Sequence, residues 1–317
     1  MGEILLILKP PAKTPHLSYL EALQDRILHP DPDLSEAYGR ELAGFLGESS
    51  LPYYIDLTSL PSHYDLYGLR LKHQENFFQI DSLLLFRNFL LILEAKHLKG
   101  KLLVNDADQL VQMKDSDQEN VYDHPLLQAE LQKQQLTSLL KQLGYPPIPI
   151  HTLASFTHKK AHLTFKHQDM IPSQQIPFRL KQISGQYRDS VMSMDQLLGL
   201  GKQLISLHRE RKYEYVKDYR TIRRGVFCGK CKAVVMKRIY GSWICPKCRE
   251  KDPLAHIPAL IDFYYLFGSK VNNKSARWFL NVDSVYTSYR ILNSLNLPAS
   301  GKTKFRTYDL SSLIEKR

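Results

Sequence analysis

Two carboxylates and an ammonium stand inside or at the ends of the apolar runs of "FQIDSLLLFRNFLLILEAKHLKG": Asp81, Glu94 and Lys96. The runs read as two strands joined by a tight turn at Arg87-Asn88. Side chains alternate between the faces of a strand, so Glu94 and Lys96 point the same way, and Asp81 can meet them across the hairpin. A carboxylate in such apolar company is costly unless something cationic compensates it. Two compensations are open. One is a structural salt bridge to Lys96 at a sheet edge. The other is a hard divalent cation, Mg²⁺ or Mn²⁺, which takes carboxylate and phosphate oxygens. A metal held by Asp81 and Glu94 would polarise a phosphodiester and lower the pKa of a bound water, while Lys96 oriented that water or steadied charge on the transition state.

The second chemistry-bearing group is unambiguous in its spacing. All four cysteines of the chain, Cys228, Cys231, Cys245 and Cys248, fall in "CGKCKAVVMKRIYGSWICPKC", as two Cys-x-x-Cys pairs separated by thirteen residues. That is zinc-ribbon spacing. Four thiolates complete a tetrahedral Zn²⁺ and leave no open position, so the expected zinc is structural. Disulfides are the competing use, disfavoured in a reducing compartment. The intervening stretch reads as a hairpin turning at Gly241-Ser242. Lys230, Lys232, Lys237, Arg238, Lys247 and Arg249 crowd the module. Some offset the charge of a four-thiolate centre; the surplus, with Tyr240 and Trp243, suits phosphate contact and stacking.

The elements around the first group follow from periodicity. A helix is expected over Ser35–Leu46, capped by Asp33 or Ser35, then a strand at "PYYIDLTSL", then the hairpin. The acidic "NDADQLVQMKDSDQENVYD" reads as loop. A helix from Pro125 to Leu143 follows, with Leu136, Leu139, Leu140 and Leu143 on one stripe and Gln128, Gln132 and Gln135 on another. "PIPIHTLASF" closes the unit as a buried strand, giving an α/β arrangement.

The segment from Asp33 to Lys159 resembles the nuclease-related domain (NERD), a branch of the PD-(D/E)xK restriction-endonuclease-like superfamily. The matching pieces are "YGRELAGFL" with Gly39 and Glu41, "FFQIDSLLLF" with Asp81, "LLILEAKHLKGK" with Glu94, Lys96 and Gly100, and "HPLLQAELQKQQLTSLL" with Gln128. The resemblance implies a mixed sheet flanked by helices, Mg²⁺ on the Asp and Glu, and a Lys that assists the attacking water. It also implies Glu41 at the acidic edge of the site and Gln128 in support of it. His97 stands where Asn is common in the family, and "DHPLLQ" replaces an Asn-Pro start; neither removes a catalytic group.

Charge separates the chain into parts. Residues 1–157 carry 13 Lys and Arg against 20 Asp and Glu, residues 158–251 carry 21 against 7, and residues 252–317 carry 9 against 5. An acidic front on a basic middle and tail is expected where one part grips a polyanion and another does chemistry. The divisions are an N-terminal extension over 1–33, the nuclease-like domain over 34–160, a basic helical connector over 161–225, the ribbon over 226–251 and a tail over 252–317. The tail resembles a winged helix-turn-helix, with helices in "HIPALIDFYYLFG", "NKSARWFLNV" and "DSVYTSYRILNSLNL" and a basic wing in "PASGKTKFRTYDLS". In such a module Ser284, Tyr286, Thr287, Ser288 and Arg290 would face a major groove and Lys302, Lys304 and Arg306 would touch phosphate.

The expectation is a cytoplasmic, DNA-associated, Mg²⁺-dependent nuclease. Lys99, Lys101, Lys230, Lys232, Arg238, Arg290, Lys302, Lys304 and Arg306 would contact nucleic acid, most of all DNA. No apolar run has the roughly twenty residues of a membrane span, and the N-terminus does not read as a signal peptide. The alternatives are a non-cleaving DNA-binding regulator and a protein–protein adaptor built on the same scaffold.

Overall fold

A computed structural model describes residues 6–29, 32–113, 118–232 and 234–315. The chain divides into two compact units, one of residues 6–13 and 40–211 and the other of residues 14–39 and 212–315, as far as they are described.

The chain begins with β1 (Leu6–Lys9), α1 (Pro15–Arg26) and α2 (Pro32–Asp56). There follow β2 (His63–His73), β3 (Asn76–Phe86), β4 (Leu90–Lys96), β5 (Gly100–Val104), β6 (Leu110–Met113), β7 (Glu119–Tyr122), α3 (Pro125–Gln142) and β8 (Ile150–Phe156). The first unit closes with β9 (Ala161–Leu163), β10 (Met170–Pro172), α4 (Ile176–Gln186) and α5 (Met194–Leu207). Its main sheet is mixed and runs β1-β2-β3-β4-β8-β10. The strands β2, β3 and β4 are an antiparallel meander, while β8 lies parallel to β4 and β1 parallel to β2.

Side-chain alternation along β4 builds both faces of that sheet. Leu90 and Ile92 join Ala129, Leu136 and Leu139 of α3 and Leu197, Leu200 and Leu204 of α5 in one core. Leu91 and Leu93 point the other way, to Leu51 and Ile55 of α2 and Ile176, Leu180 and Ile183 of α4. Helices therefore cover both faces, which fits an α/β nuclease-like fold. A smaller sheet, β7-β6-β5-β9, continues from the end of β4.

Several local expectations are corrected. "PYYIDLTSL" is not a strand: α2 continues through Pro52 to Asp56. An internal proline forfeits a helical hydrogen bond, but Gly47, Leu51 and Ile55 recur every four residues and are all buried, and that helical stripe outweighs the loss. The acidic stretch after Val104 contains β6 and β7, whose short ladder puts Val111 opposite Val121; residues 114–117 lie outside the described residues. The N-terminal extension supplies β1, and the basic connector holds α4 as well as α5. The expected hairpin at Arg87-Asn88 is present, closed by the Phe86 N–H donating to the Phe89 carbonyl at 3.0 Å.

The second unit adds β11 (Lys237–Ile239), β12 (Ser242–Ile244), β13 (Lys251–Asp252), α6 (His256–Phe267), β14 (Lys270–Asn272), α7 (Asn273–Leu280), α8 (Val285–Ser294), β15 (Ala299–Ser300), β16 (Thr307–Asp309) and α9 (Ser311–Glu315). One core joins Cys228, Cys245 and Trp243 to Leu260 and Phe263 of α6, Phe279 of α7 and Ile291 and Leu292 of α8. Buried Arg26 of α1 is tied to this core, donating to Asp262 at 2.8 Å and to the Gly225 carbonyl at 3.1 Å. The last three strands form a sheet in the order β14-β16-β15. Helix α7 begins at Asn273 as the sequence led one to expect, capped by Asn272 with Ser275 as its partner, and Ser284 caps α8. Among the described residues no helix is long and apolar enough to cross a membrane.

Candidate functional site

The hairpin register pairs Ser82 with Leu93, so Asp81 and Glu94 come next along the β3–β4 ladder. There the ladder gives way to side-chain chemistry: Asp81 Oδ2 accepts from the Ala95 backbone N–H at 2.9 Å. Two residues past Glu94, Lys96 swings back and donates to Glu94 Oε1 at 2.7 Å. Its Nζ also donates to Gln128 Oε1 on α3 at 2.8 Å. Gln132, one helical turn on, donates to Glu94 Oε2 at 2.9 Å. Both oxygens of Glu94 are thus occupied and its rotamer is fixed. Asp81 is 8% exposed and Glu94 1%, whereas the Lys96 side chain is 21% exposed. Lys96, Gln128 and Glu48 are the half-buried members of the cluster, and Asp81 and Glu94 the buried ones.

A third carboxylate arrives from α2. Burial, the nearby charges of Glu94 and Glu41, and only partial relief from Lys9 hold Glu48 up at about 7. Gly68 helps to seat it: its left-handed φ of 59° marks an irregular step in β2, and Glu48 Oε2 lies 3.7 Å from where a Cβ would stand. Asp81 is pushed well above the usual carboxylate range by burial first, then by the charges of Glu94 and Glu48. Burial disfavours the charged form and repulsion between neighbouring carboxylates adds to it, so each holds its proton more tightly.

The donor type suits a hard divalent cation, although among the described residues only the four cysteines bring three or more such ligand atoms within 4.8 Å of one another. Glu48, Asp81 and Glu94 offer only oxygen donors, and three carboxylates face two ammonium groups, Lys9 and Lys96. A dication would relieve the surplus negative charge that now raises Asp81 and Glu48.

The structure brings Asp81, Glu94, Lys96 and Gln128 together, while Glu41 acts on the cluster through Glu48, seven residues along the same helix. Lys99 and Lys101 are exposed, where the chain leaves β4 and enters β5. Sequence reasoning missed two participants. Gln132 lay on the noted glutamine stripe, four residues after Gln128 and hence on the same helix face. Glu48 sits two turns after Glu41, and a helix carried past Leu46 would have put both on one side.

The four cysteines converge, their Sγ atoms all within 4.8 Å of one another. Cys228 and Cys248 are 3.7 Å apart; a tetrahedral site with Zn–S bonds near 2.3 Å has S–S edges of about 3.8 Å. The two knuckles are built alike. The residue after each second cysteine, Lys232 and Arg249, is left-handed, with φ of 55° and 61°. Each first cysteine donates its backbone N–H across its own turn, Cys228 to the Val234 carbonyl and Cys245 to that of Glu250, both at 2.9 Å. Backbone N–H groups of Cys248 and Lys247 aimed at its sulfur bring Cys245 down to about 7, suited to a thiolate ligand. None of the four is disulfide-bonded, and the set fits zinc.

Around the ribbon the expected contacts sort differently. Tyr240 is fully exposed at the β11–β12 turn, which falls at Tyr240-Gly241, one residue before the expected place. Trp243 is buried, not a stacking platform: its Nε1 donates to His256 at 3.3 Å and Arg238 lies over its ring. A large ring opposite a short strand is worth more in the core than on the surface. Lys230 is paired with Glu250 at 2.7 Å and Lys232 is exposed.

In the tail, Ser284, Tyr286 and Arg290 are exposed and Thr287 half-buried, but Ser288 is fully buried, because it shares the helix face of Ile291 and Leu292. Lys302 is exposed, Arg306 is half-buried over the Tyr308 ring, and the Lys304 side chain lies outside the described residues.

Residues 43–157 match the family model of the nuclease-related domain. The matched span runs from α2 to the end of β8 and holds every residue of the acid–lysine–glutamine cluster except Glu41 and Lys9. No curated protein and no solved structure matches the chain.

Proposed function

We propose that the first unit hydrolyses phosphodiester bonds of DNA with Mg²⁺ or Mn²⁺, in the manner of the PD-(D/E)xK enzymes, and that the second unit holds the nucleic acid. The observation that carries this reading is the convergence of Asp81, Glu94, Lys96 and Gln128 where β3 and β4 part, inside the matched domain. Asp81 and Glu94 would hold the cation, with Glu48 beside them. When bound, the metal supplies Lewis-acid polarisation of the phosphate and a more acidic water.

The chain's own groups do the positioning. Lys96 has three N–H donors; two are committed to Glu94 and Gln128, and the third is left for the attacking water or a phosphate oxygen. Gln132 and the Ala95 N–H keep Glu94 and Asp81 from rotating away. The half-buried Lys96 and Gln128 would mark the side from which phosphate approaches.

The element order helix–strand–helix–helix–strand–wing–strand from α6 to β16, with its β14-β16-β15 sheet, supports reading the tail as a winged helix-turn-helix. The expected contacts there are Arg290, Lys302, Lys304 and Arg306. In the ribbon they are Lys230, Lys232 and Arg238, with zinc as the structural ion. Lys99 and Lys101 serve the cutting unit. Such binding should weaken steeply with salt, because each neutralised phosphate releases counterions.

The test is incubation of the full chain with labelled linear and supercoiled DNA plus Mg²⁺ or Mn²⁺. Cleavage by the natural chain that is lost in Lys96→Ala and Asp81→Asn is expected. Burial of Asp81 and Glu94 favours one second reading, a non-cleaving DNA-binding regulator on a nuclease-like scaffold. Salt-sensitive DNA binding with no cleavage in either metal would establish it over the enzyme.

A further inference from the structure

The second unit contains a concavity that the nuclease reading does not use. A cavity of about 570 Å³ opens between α7, the start of α8 and the segment leading into β16. Its walls include Lys274 and Arg277 of α7, Tyr286 and Tyr289 of α8, and Arg306 and Tyr308. The volume falls within the range of about 300–1,000 Å³ typical of small-ligand pockets. Three cationic groups and three tyrosine rings around one space, with no carboxylate in the lining among the described residues, select for an occupant that is both anionic and flat.

Two atoms sharpen the choice. Nε of Arg277 and Nε of Arg306 are buried and have no hydrogen-bond partner among the described residues. Arg277 is held by its Nη1, which donates to the Asp283 carbonyl at 3.2 Å across the α7–α8 turn, and Arg306 lies 5.2 Å over the Tyr308 ring. Both guanidinium groups are therefore fixed in place with a donor left over, and buried donors without acceptors are costly. Tyr286 is 79% exposed at the rim and Tyr289 45%, which is a high exposure for large rings in a well-packed helical module and leaves their faces ready to stack.

We infer that this cavity takes one unpaired nucleotide of single-stranded DNA, its phosphate toward Arg277 and Arg306 and its base against Tyr286 and Tyr289. A duplex laid on α8 can offer its outer phosphates to the guanidinium groups, but its bases are paired and stacked, so it cannot present a base face to Tyr286 and Tyr289. A single strand can, since its backbone bends and every base offers a stacking face. The pocket would give the protein a preference for strand ends, gaps or frayed junctions over uninterrupted duplex. This rests on the reading of the tail as nucleic-acid-binding and deepens it.

The test is fluorescence anisotropy with the full chain and no added divalent metal, using a labelled oligothymidylate and a blunt duplex of the same strand length. Tyr286→Ala is at the rim and should leave the melting temperature unchanged. It is expected to weaken oligothymidylate binding about ten-fold or more while duplex binding falls much less, and Tyr286→Phe, which keeps the ring, should restore it. Lys274→Ala should act in the same direction. Equal losses on both probes, or no loss on either, would overturn the pocket while leaving duplex binding by the tail intact. If the natural chain binds neither probe, the nucleic-acid reading of the tail fails first.

Discussion

Gln132 Nε2 donates to Glu94 Oε2 at 2.9 Å, from a position one helical turn beyond the Gln128 that accepts from Lys96. The relationship makes α3 the clamp of the candidate site: one turn fixes the carboxylate, the previous turn fixes the ammonium. Gln132 is itself buried and reaches no exposed surface, so its effect on chemistry has to pass through Glu94.

Removing that clamp should be felt as a loss of metal affinity before a loss of fold. Outer groups that orient a metal-binding carboxylate are typically worth 10–100-fold in affinity or activity. Gln132→Leu is therefore expected to raise the Mg²⁺ concentration needed for half-maximal cleavage by about that factor, while cleavage at saturating metal largely recovers. A metal titration of the variant beside the natural chain reads both values. Loss of activity that saturating metal fails to restore would assign Gln132 to the reaction itself.

The crowded carboxylates make a pH prediction with a definite sign. Glu48 is held up at about 7, against an ordinary value of 4.5, and Asp81 is raised as well. Between those values the folded chain binds more protons than the unfolded one, so stability falls as pH rises. The stabilising contribution is complete below the unfolded pKa and gone once pH passes the folded one. Without divalent metal, the melting temperature should drop as pH rises through about 4.5 to 7. Added Mg²⁺ or Mn²⁺ should reverse the drop, and by more at the upper end, where the carboxylates are free of protons. Thermal melts across pH with and without metal measure it. A Glu48→Gln variant should flatten the metal-free curve.

How far the sequence could be read depended on whether the signal was local. The β3–β4 hairpin is legible because its apolar run is continuous and its turn short, and with it came Asp81, Glu94 and Lys96. Helix α3 is legible for the same reason, and its glutamine stripe pointed at the cluster without revealing which oxygen each amide would meet. The end of α2 was hidden by Pro52, a strong local breaker overruled by the burial of Leu51 and Ile55. Strand β1 is four residues long and finds its partner 58 positions away, Leu6 beside Tyr64, and nothing near it in sequence announces a parallel pairing. Glu48 was lost with the end of its helix. Trp243 and Ser288 were placed outside because their neighbours are basic or polar, yet each faces a core that other segments supply. The four cysteines converge as their spacing led one to expect.

Gly47 tests how tightly α2 must seat against the site. A Cβ there would lie 3.0 Å from Thr157 Oγ1 and 3.1 Å from His97 Cβ, tighter than nearly all real Cβ contacts. Thr157 and His97 hold each other by a 2.9 Å hydrogen bond, so neither yields freely. Gly47→Ala would gain helix propensity of about 1 kcal/mol but lose more by overpacking, typically about 1–3 kcal/mol. The expected net is a modest destabilisation, read as a lower urea midpoint with an unchanged slope. Because Glu48 is the next residue, the metal requirement should rise in the same variant. A stabilised Gly47→Ala would mean that the helix can move away without cost.

Zinc should be inseparable from the second unit's core. Cys228 and Cys245 are buried in the same cluster as Trp243, Phe263 and Phe279, so the ion's ligands are also core residues of the helical tail. Structural zinc supplies folding free energy outright. In a Trp278→Phe background, which leaves Trp243 as the one tryptophan, chelation or Cys245→Ser is expected to release one zinc per chain and to shift the emission to the red as water reaches a ring that is now 1% exposed. The loss should extend to the tail, with nucleic-acid binding falling together with the fluorescence change. Metal analysis and emission spectra on the same samples decide it. Zinc release that leaves Trp243 buried would show that apolar packing alone holds the ribbon closed, and the four thiolates would then need a role other than stability.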